Sequence, residues 1–297
     1  MPPSLTQQRF FDPLVLAKIA NLALRARYVV EGLLTGLHDS HFKGFSVEFA
    51  EHREYAPGDD LRHLDWKAYA KSDRHVIKQY EEETNLRSYL LLDTSASMDY
   101  RSDGVSKFEY ASMLAASLAY LMLKQQDAVG LFTFAEDVRQ AVPPRSGLDH
   151  LQALAHCLEG ATLGGRTHFV TTLRNAMNRI RRRGLIIVIS DLFDDPERLI
   201  RGLQHLRHKK NEVIVFQILD RTEVEFPFKE MTRFEDLEDE LFVSTDPRVI
   251  RDEYLRALEE FQNAYKTALN AHMVEYALFT THTPLDKALV RFLSRRR

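Results

Sequence analysis

The sequence predicts an α/β fold in which helices cover both faces of a mostly parallel, doubly wound sheet. Several strand-like segments are continuous apolar runs, which is typical of strands that are buried on both faces. These runs occupy residues 90–93, 128–135, 184–191, 212–220 and 274–281. Segments with helical periodicity separate them, and this alternation indicates crossover connections between parallel strands.

The segments between the strands carry recognisable helix signals. Ser106 and Glu109 have the spacing of a capping box ahead of a long apolar run. Asp195 can cap a helix in which Pro196 stands in the first turn. Further helices are predicted at residues 147–159, 169–182, 248–272 and 285–295. "VRQAVPP", residues 138–144, follows its strand after a tight turn and ends in prolines, which predicts an antiparallel edge strand.

The first 87 residues do not follow this alternation. Residues 13–34 predict an amphipathic helix, and residues 44–83 predict two strands separated by a turn and a short helix. The sequence therefore predicts an N-terminal helix and β-rich flanking module over 1–87 and the α/β domain over 88–297. The conspicuous residues of this module are Arg53, Asp59, Asp60, Asp65 and Trp66. They are compatible with two interpretations. One is a capped, salt-bridged turn that buries the tryptophan, and the other is a binding patch.

Composition excludes several classes of protein. The chain has 297 residues, of which 44% are hydrophobic and 28% charged, so it can bury a substantial core. A formal net charge of −3 gives no electrostatic case for binding nucleic acid. The single cysteine, Cys157, excludes an intramolecular disulfide and fits a reducing compartment. Neither a signal peptide nor a membrane span is evident, so we expect a cytoplasmic protein.

Oxygen-bearing side chains stand at the ends of two predicted strands. Asp93 ends the first apolar run and is followed by Ser95 and Ser97, and Asp191 ends the run at 184–191. Ligands of open parallel sheets bind at the carboxyl ends of the strands. If the two strands are adjacent, the carboxylates repel each other and favour a cation, a proton or an arginine between them. Oxygen donors without sulfur or imidazole suit Mg²⁺ or Mn²⁺ rather than Zn²⁺.

Two simpler interpretations apply to the same residues. Asp and Ser can satisfy the backbone donors of an ordinary turn, because both residue types favour turns and caps. Asp194 and Asp195 are better explained as caps of the following helix than as metal ligands.

"DTSAS", at residues 93–97, resembles the D-x-S-x-S signature of the metal-ion-dependent adhesion site in von Willebrand factor A domains. In that family a threonine from a later loop and an aspartate after the fourth strand complete the site. "GGRTHF" supplies Thr167 and "VISDLFDD" supplies Asp191. The resemblance implies a Rossmann-type, von Willebrand A-like fold with Mg²⁺ as cofactor and Mn²⁺ as the alternative ion. The metal ligands that it implies are Asp93, Ser95, Ser97, Thr167 and Asp191.

The resemblance extends beyond the metal motif. The segment at 44–84, followed within a few residues by "LLLDTSASM", resembles the domain of unknown function 58 family. These bacterial proteins join such an upstream module to a von Willebrand A-like domain. The later "FEDLEDE" and "THTPLDKALVRFL" fit the same family. Because such proteins are typically encoded beside AAA+ ATPases of the MoxR type, the resemblance also implies an ATPase partner.

Two functions from different classes follow. The first is a protein interaction module rather than an enzyme. Mg²⁺ keeps exchangeable waters, so five protein groups can leave one position for the carboxylate of a client or partner. The module would then be an adaptor or co-chaperone of the ATPase.

The alternative is a phosphohydrolase of the haloacid dehalogenase type with Asp93 as nucleophile, although Ser95 stands where its second aspartate is needed. No P-loop is present, so we do not expect the chain to hydrolyse ATP.

Overall fold

Strands and helices alternate along most of the chain that the computed structural model describes, namely residues 21–38, 52–54, 76–78, 86–180, 182–238 and 241–294. The helices are α1 (Leu22–His38), α2 (Lys107–Lys124), α3 (His150–Glu159), α4 (Phe169–Arg179), α5 (Pro196–His208), α6 (Arg221–Glu225), α7 (Pro247–Ala271) and α8 (Leu285–Leu293). The strands are β1 (His52–Glu54), β2 (Val76–Lys78), β3 (Arg87–Asp93), β4 (Ala128–Phe134), β5 (Val138–Arg145), β6 (Leu185–Ser190), β7 (Glu212–Leu219), β8 (Thr232–Glu235), β9 (Phe242–Thr245) and β10 (Glu275–Thr280).

The main sheet has six strands in the order β10-β7-β6-β3-β4-β5. Its strand pairs are parallel except for β4 with β5, so β5 is the antiparallel edge strand that the prolines predict. β3 lies in the middle and β6 is its direct neighbour, with Leu91 opposite Val188. The predicted fold class, a doubly wound and mostly parallel α/β sheet with one antiparallel edge, is confirmed.

Two hydrophobic cores cover the two faces of this sheet. Along β3, Leu90 and Leu92 point into the core formed with α1, α2, α3 and α8. Tyr89 and Leu91 point into the opposite core with α4, α5 and α7. Because both faces are buried, the strand is apolar from Tyr89 to Leu92, directly before it reaches Asp93. This explains why the change from leucine to aspartate marks the edge of the sheet.

The N-terminal part agrees with its prediction where the structure describes it. The predicted helix is present as Leu22–His38, which ends four residues beyond the predicted end. β1 and β2 pair in antiparallel fashion with Arg53 opposite Ile77, so the two predicted strands are present. The turn and short helix predicted between them lie outside the described residues, as do Asp59, Asp60, Asp65 and Trp66. The boundary between 87 and 88 stays a prediction.

The helix signals in the α/β part are confirmed. Ser106 Oγ accepts a hydrogen bond from the Glu109 backbone N–H at 3.1 Å, and the Glu109 side chain returns the contact to the Ser106 backbone. Asp195 Oδ1 accepts from the Glu197 N–H at 2.9 Å at the start of α5. Cys157 lies on α3 as expected, half-buried, and burial raises the pKa of its thiol.

The antiparallel pair β8 and β9 was not predicted. In the described part of the chain, every helix is too short or too polar to cross a bilayer.

Candidate metal site at the carboxyl edge of the sheet

Three loops meet where β3 and β6 end. The first contains residues 93–99 and includes a short 3-10 helix, Ala96–Asp99. The second, residues 162–168, precedes α4, and the third, residues 190–195, connects β6 to α5. Because β3 and β6 are parallel neighbours, the carboxylates of Asp93 and Asp191 come to the same edge of the sheet, as the sequence predicts.

Asp93 is the centre of the site. Its side chain is fully buried. Ser190 Oγ donates to Asp93 Oδ2 at 2.6 Å, and the Ser95 backbone N–H donates to Oδ1 at 2.9 Å. Thr167 Oγ1 donates to the same carboxylate at 3.3 Å from Oδ2. Ser190 is a residue that the sequence analysis missed, although it is the last residue of β6 and directly precedes Asp191 in the sequence.

The bond from the Ser95 N–H is the contact that the simpler interpretation of an Asp-Ser turn expects. It does not account for the other two donors, which come from β6 and from the loop before α4. Asp93 therefore takes part in a local Asp-Ser turn and also accepts hydrogen bonds from two other parts of the chain.

Hydroxyl groups extend the site toward its open side. Ser95 Oγ and Ser97 Oγ lie 3.0 Å apart, and either can donate. Ser95 is fully buried, whereas Ser97 and Thr167 are half-buried. Hydrogen bonds thus connect Asp93, Ser95, Ser97 and Thr167, which are four of the five predicted ligands. The solvent side of the cluster lies at Ser97 and Thr167.

Asp191, the fifth predicted ligand, is held by a lysine that the sequence analysis did not identify. Lys107, from the first turn of α2, donates from Nζ to Asp191 Oδ2 at 2.8 Å and to Glu223 Oε1 at 2.8 Å. The side chain of Lys107 is only 1% exposed, and that of Asp191 only 3%. The ammonium also lies 5.1 Å from the centre of the Phe193 ring, a cation–π distance. The cation expected beside the two aspartates is therefore supplied in part by the chain itself.

The ionisation of the site follows from burial and from these charges. Burial first, and then the negative charge of Asp191, raise the pKa of Asp93 to about 7. Burial alone lowers the pKa of Lys107, but Asp191 and Glu223 together raise it above its ordinary value. Lys107 therefore stays charged near neutral pH, while Asp93 keeps a proton more readily than an exposed aspartate. A cation bound beside Asp93 would therefore favour its ionised form and lower its raised pKa.

The glycine pair before Thr167 allows the second loop to approach the first. Gly164 and Gly165 have φ values of +136° and +72°, where side chains other than glycine are disfavoured. In this conformation the Gly165 carbonyl accepts a hydrogen bond from the Ala96 N–H at 3.0 Å. The contact ties the threonine-bearing loop to the D-x-S-x-S loop.

Arg139, on the edge strand β5, supports the same loop from outside. Its guanidinium donates to the carbonyls of Thr162 and Gly164, each at 2.5 Å, and weakly to that of Thr94 at 3.4 Å. The sequence analysis did not identify this role, because an exposed arginine on an edge strand carries no local signal. Arg139 is a positioning residue, since it touches loop carbonyls rather than the predicted ligands' side chains.

The donor set fits a hard divalent cation. Within the described ranges there is no group of three or more His, Cys, Asp or Glu residues that could hold a metal. The candidate site is of another kind, with two carboxylates and three hydroxyls. Oxygen donors of this type suit Mg²⁺ or Mn²⁺, and Asp93 combines deep burial with a carboxylate that gathers neighbouring donors.

The strand order, the antiparallel edge and the D-x-S-x-S loop at the carboxyl edge define a von Willebrand A-like domain. The model of the family described as "Protein of unknown function DUF58" matches residues 51–264. The chain belongs to this family.

Similar proteins are found in several bacteria. "Uncharacterized protein Rv1480" of Mycobacterium tuberculosis is 28% identical over 261 residues, which cover 86% of this chain and 81% of that protein. "Uncharacterized protein YeaD" of Bacillus subtilis is 28% identical over 127 residues, which cover 41% of this chain and 29% of that protein.

Solved structures that resemble the chain include the conserved hypothetical protein BatB from Bacteroides thetaiotaomicron. It has a TM-score of 0.46 and 18% identity, with 71% of this chain and 98% of that chain covered. The SpRpn10 VWA domain has a TM-score of 0.42 and 14% identity, with 69% and 94% covered.

Proposed function

We propose that the protein is a metal-dependent protein interaction module that binds an acidic side chain of its partner through Mg²⁺, with Mn²⁺ as the alternative ion. The ligands would be Asp93, Ser95, Ser97, Thr167 and Asp191. The observation that carries the proposal is the hydrogen-bonded cluster of Asp93 with three hydroxyl-bearing residues at an edge of the sheet that opens to solvent.

Each residue has a distinct part in this proposal. Asp93 supplies the negative charge, and the neutral hydroxyls leave the bound cation enough charge to attract a further carboxylate. Because Lys107 engages Asp191 Oδ2, Asp191 would contribute through its second oxygen or through a water. Ser97 and Thr167 border the solvent side, so the partner's carboxylate would approach there.

The proposed partner is a MoxR-type AAA+ ATPase, for which the protein would act as adaptor or co-chaperone toward a client with an exposed acidic residue. Membership of the family supports this part of the proposal. We further propose that the protein works in the cytoplasm. Its net charge of −3 gives no reason to expect nucleic acid as a partner.

The phosphohydrolase alternative has less support. Ser95 stands where the second aspartate is needed, and Lys107 contacts Asp191 and Glu223 rather than Asp93. Hydrolysis of a generic aryl phosphate with Mg²⁺ would favour the alternative, and we expect none.

The test is an association experiment with the purified MoxR-type ATPase of the same organism, in the presence of Mg²⁺. We expect one complex that is abolished both by a chelator and by Ser97→Ala. Ser97→Ala removes a half-buried hydroxyl with one neighbour at 3.0 Å, so its cost in folding free energy is about 0.5–1.5 kcal/mol. Ser146→Ala, at an exposed serine, is the matched control. Survival of the complex after both the chelator and Ser97→Ala would contradict a metal-bridged contact.

A further inference from the structure

Gln217 is a fully buried amide in the strand β7, whose other buried residues are all apolar. Burying an amide costs free energy unless its donor and its acceptor are both hydrogen-bonded. The register places Gln217 opposite Ser190, the residue of β6 that donates to Asp93. The amide therefore needs polar partners, and the strand pairing brings it to the candidate metal site.

The Gln217 side chain is held at both of its polar atoms. Its Nε2 donates to the Asp191 carbonyl at 2.9 Å, and its Oε1 accepts from the hydroxyl of Tyr276 on β10. A backbone carbonyl can only accept, so the amide nitrogen must face Asp191. Burial raises the pKa of Tyr276, so its hydroxyl keeps the proton that it donates. The two contacts together fix one orientation of the amide.

The peptide group between Asp191 and Leu192 is held on both sides. Its carbonyl accepts from Gln217, and its N–H donates to Ser190 Oγ at 3.0 Å. Leu192 has a φ of +61°, in the left-handed region that is unfavourable for a residue with a side chain. The hydroxyl of Tyr265 on α7 donates to the Leu192 carbonyl at 3.1 Å. Side chains from three elements therefore maintain a strained turn directly after Asp191.

This turn sets the direction of the Asp191 carboxylate. Asp191 Oδ2 accepts from Lys107 at 2.8 Å, and Oδ1 accepts from the Phe193 N–H at 3.3 Å within the turn itself. A rotation of the peptide group after Asp191 would break the second contact and turn the side chain away from the site. Gln217 donates to the carbonyl of that peptide group and so opposes the rotation.

We propose that Gln217, oriented by Tyr276, is a positioning residue of the candidate metal site. It holds the backbone of Asp191 so that the carboxylate keeps its direction toward the ion. The inference rests on the proposed function, because it assigns a supporting residue to the same metal site. Gln217 acts through the peptide group of Asp191 and is not itself a proposed ligand.

The test compares two buried amides at opposite ends of β7. Asn211, directly before β7, is 3% exposed, donates to the Leu206 carbonyl at 3.1 Å and accepts from the Gly184 N–H at 3.0 Å. Gln217→Leu and Asn211→Leu each remove a buried amide with two partners, so both variants should resist chemical denaturation less than the wild type. In calorimetric titrations of the full-length proteins with Mg²⁺, we expect Gln217→Leu to bind about 10–100-fold more weakly. Asn211→Leu should keep the affinity of the wild type.

Tyr276→Phe is a milder variant that removes only the hydroxyl. The Gln217 amide is then free to turn, so we expect the Mg²⁺ affinity to fall, but by less than in Gln217→Leu. A spectroscopic readout accompanies the affinities. The side-chain amide resonance of Gln217, identified by its loss in Gln217→Leu, should shift when Mg²⁺ is added to the wild type. The corresponding resonance of Asn211 should not shift.

The outcomes separate this inference from the proposed function. If Mg²⁺ binds with equal affinity to the wild type, Gln217→Leu and Tyr276→Phe, Gln217 has no positioning role, although the metal site stands. An equal loss of affinity in Gln217→Leu and Asn211→Leu would also overturn the role, because it would reflect stability alone. If Gln217→Leu does not fold, wild-type affinity in Tyr276→Phe overturns it. If the wild type binds no Mg²⁺, the metal site and the role of Gln217 are both refuted.

Discussion

Lys107 neutralises the acidic side of the candidate site. It is almost completely buried, and its ammonium is shared between Asp191 and Glu223 at 2.8 Å each. In the sequence Lys107 follows a capping serine, where a lysine is usually solvated, so no local signal indicates its role. Only the adjacency of α2 to the ends of β6 and β7 brings it to the aspartate.

We expect Lys107→Met to destabilise the protein by about 3–5 kcal/mol, because removing one member of a buried ion pair leaves uncompensated charge. Chemical denaturation measures the loss. Lys124→Met, at the exposed end of the same helix, is the control and should change stability by less than about 0.5 kcal/mol. Mg²⁺ should stabilise Lys107→Met more than it stabilises the wild type. Equal stabilities of Lys107→Met and Lys124→Met would show that the buried ion pair contributes nothing to the free energy of unfolding.

The pKa of Asp93 gives a pH dependence with a definite sign. Burial and Asp191 raise it to about 7, whereas an aspartate in the unfolded chain titrates near 3.8. Between these values the folded protein holds a proton that the unfolded chain has lost, so this contribution to stability is present at low pH and declines as pH rises toward 7. Mg²⁺ competes with that proton. We therefore expect the Mg²⁺-induced rise in melting temperature to be larger near pH 8 than near about pH 5.5.

Thermal unfolding with and without Mg²⁺ at the two pH values measures this dependence. Asp93→Asn cannot ionise and serves as the control, in which the effect of Mg²⁺ should be small at both pH values. An Mg²⁺ effect in the wild type that is equal at both pH values would contradict the role of Asp93.

At the scale of elements, the sequence predicted those parts that depend on local pattern. The strands ending at Asp93 and Asp191 are continuous apolar runs because helices cover both faces of the sheet, and the neighbouring strands bring both aspartates to one edge. The β8 and β9 hairpin was missed because its strands are exposed and short and are separated by an acidic segment of the sequence. The β-branched and aromatic residues of "TRFE" and "FVST" on either side of that segment are the signal that could have revealed it.

Arg139 tests whether the threonine-bearing loop must be held in place. We expect Arg139→Ala to weaken Mg²⁺ binding by about 10–100-fold, a loss typical of residues that orient metal ligands. The loss of stability should be below about 1 kcal/mol, because the arginine is exposed. Isothermal titration of Mg²⁺ measures the affinity, with Arg145→Ala on the same strand as control. An unchanged affinity would mean that the glycine pair fixes the loop without Arg139.

At the scale of the whole molecule, the N-terminal helix belongs to the core of the α/β part. The buried residues of α1, including Val29, Val30 and Leu33, join one hydrophobic cluster with α2, α3 and α8. A helix that buries its apolar face in this way gains most of its stability from packing rather than from its own propensity. The sequence predicted the helix but could not show this packing, because α1 ends at His38 and the first of its partner helices, α2, begins only at Lys107.

We infer that one divalent cation binds at Asp93 and that the protein folds without this ion. The most direct measurement is a calorimetric titration of Mg²⁺ into the wild type and into Asp93→Ala. We predict one ion per chain in the wild type, with a gain in unfolding free energy of about 2.7 kcal/mol at a hundredfold excess over Kd, and no binding to Asp93→Ala. The absence of binding to the wild type at millimolar Mg²⁺ or Mn²⁺, or equal binding to Asp93→Ala, would contradict this account.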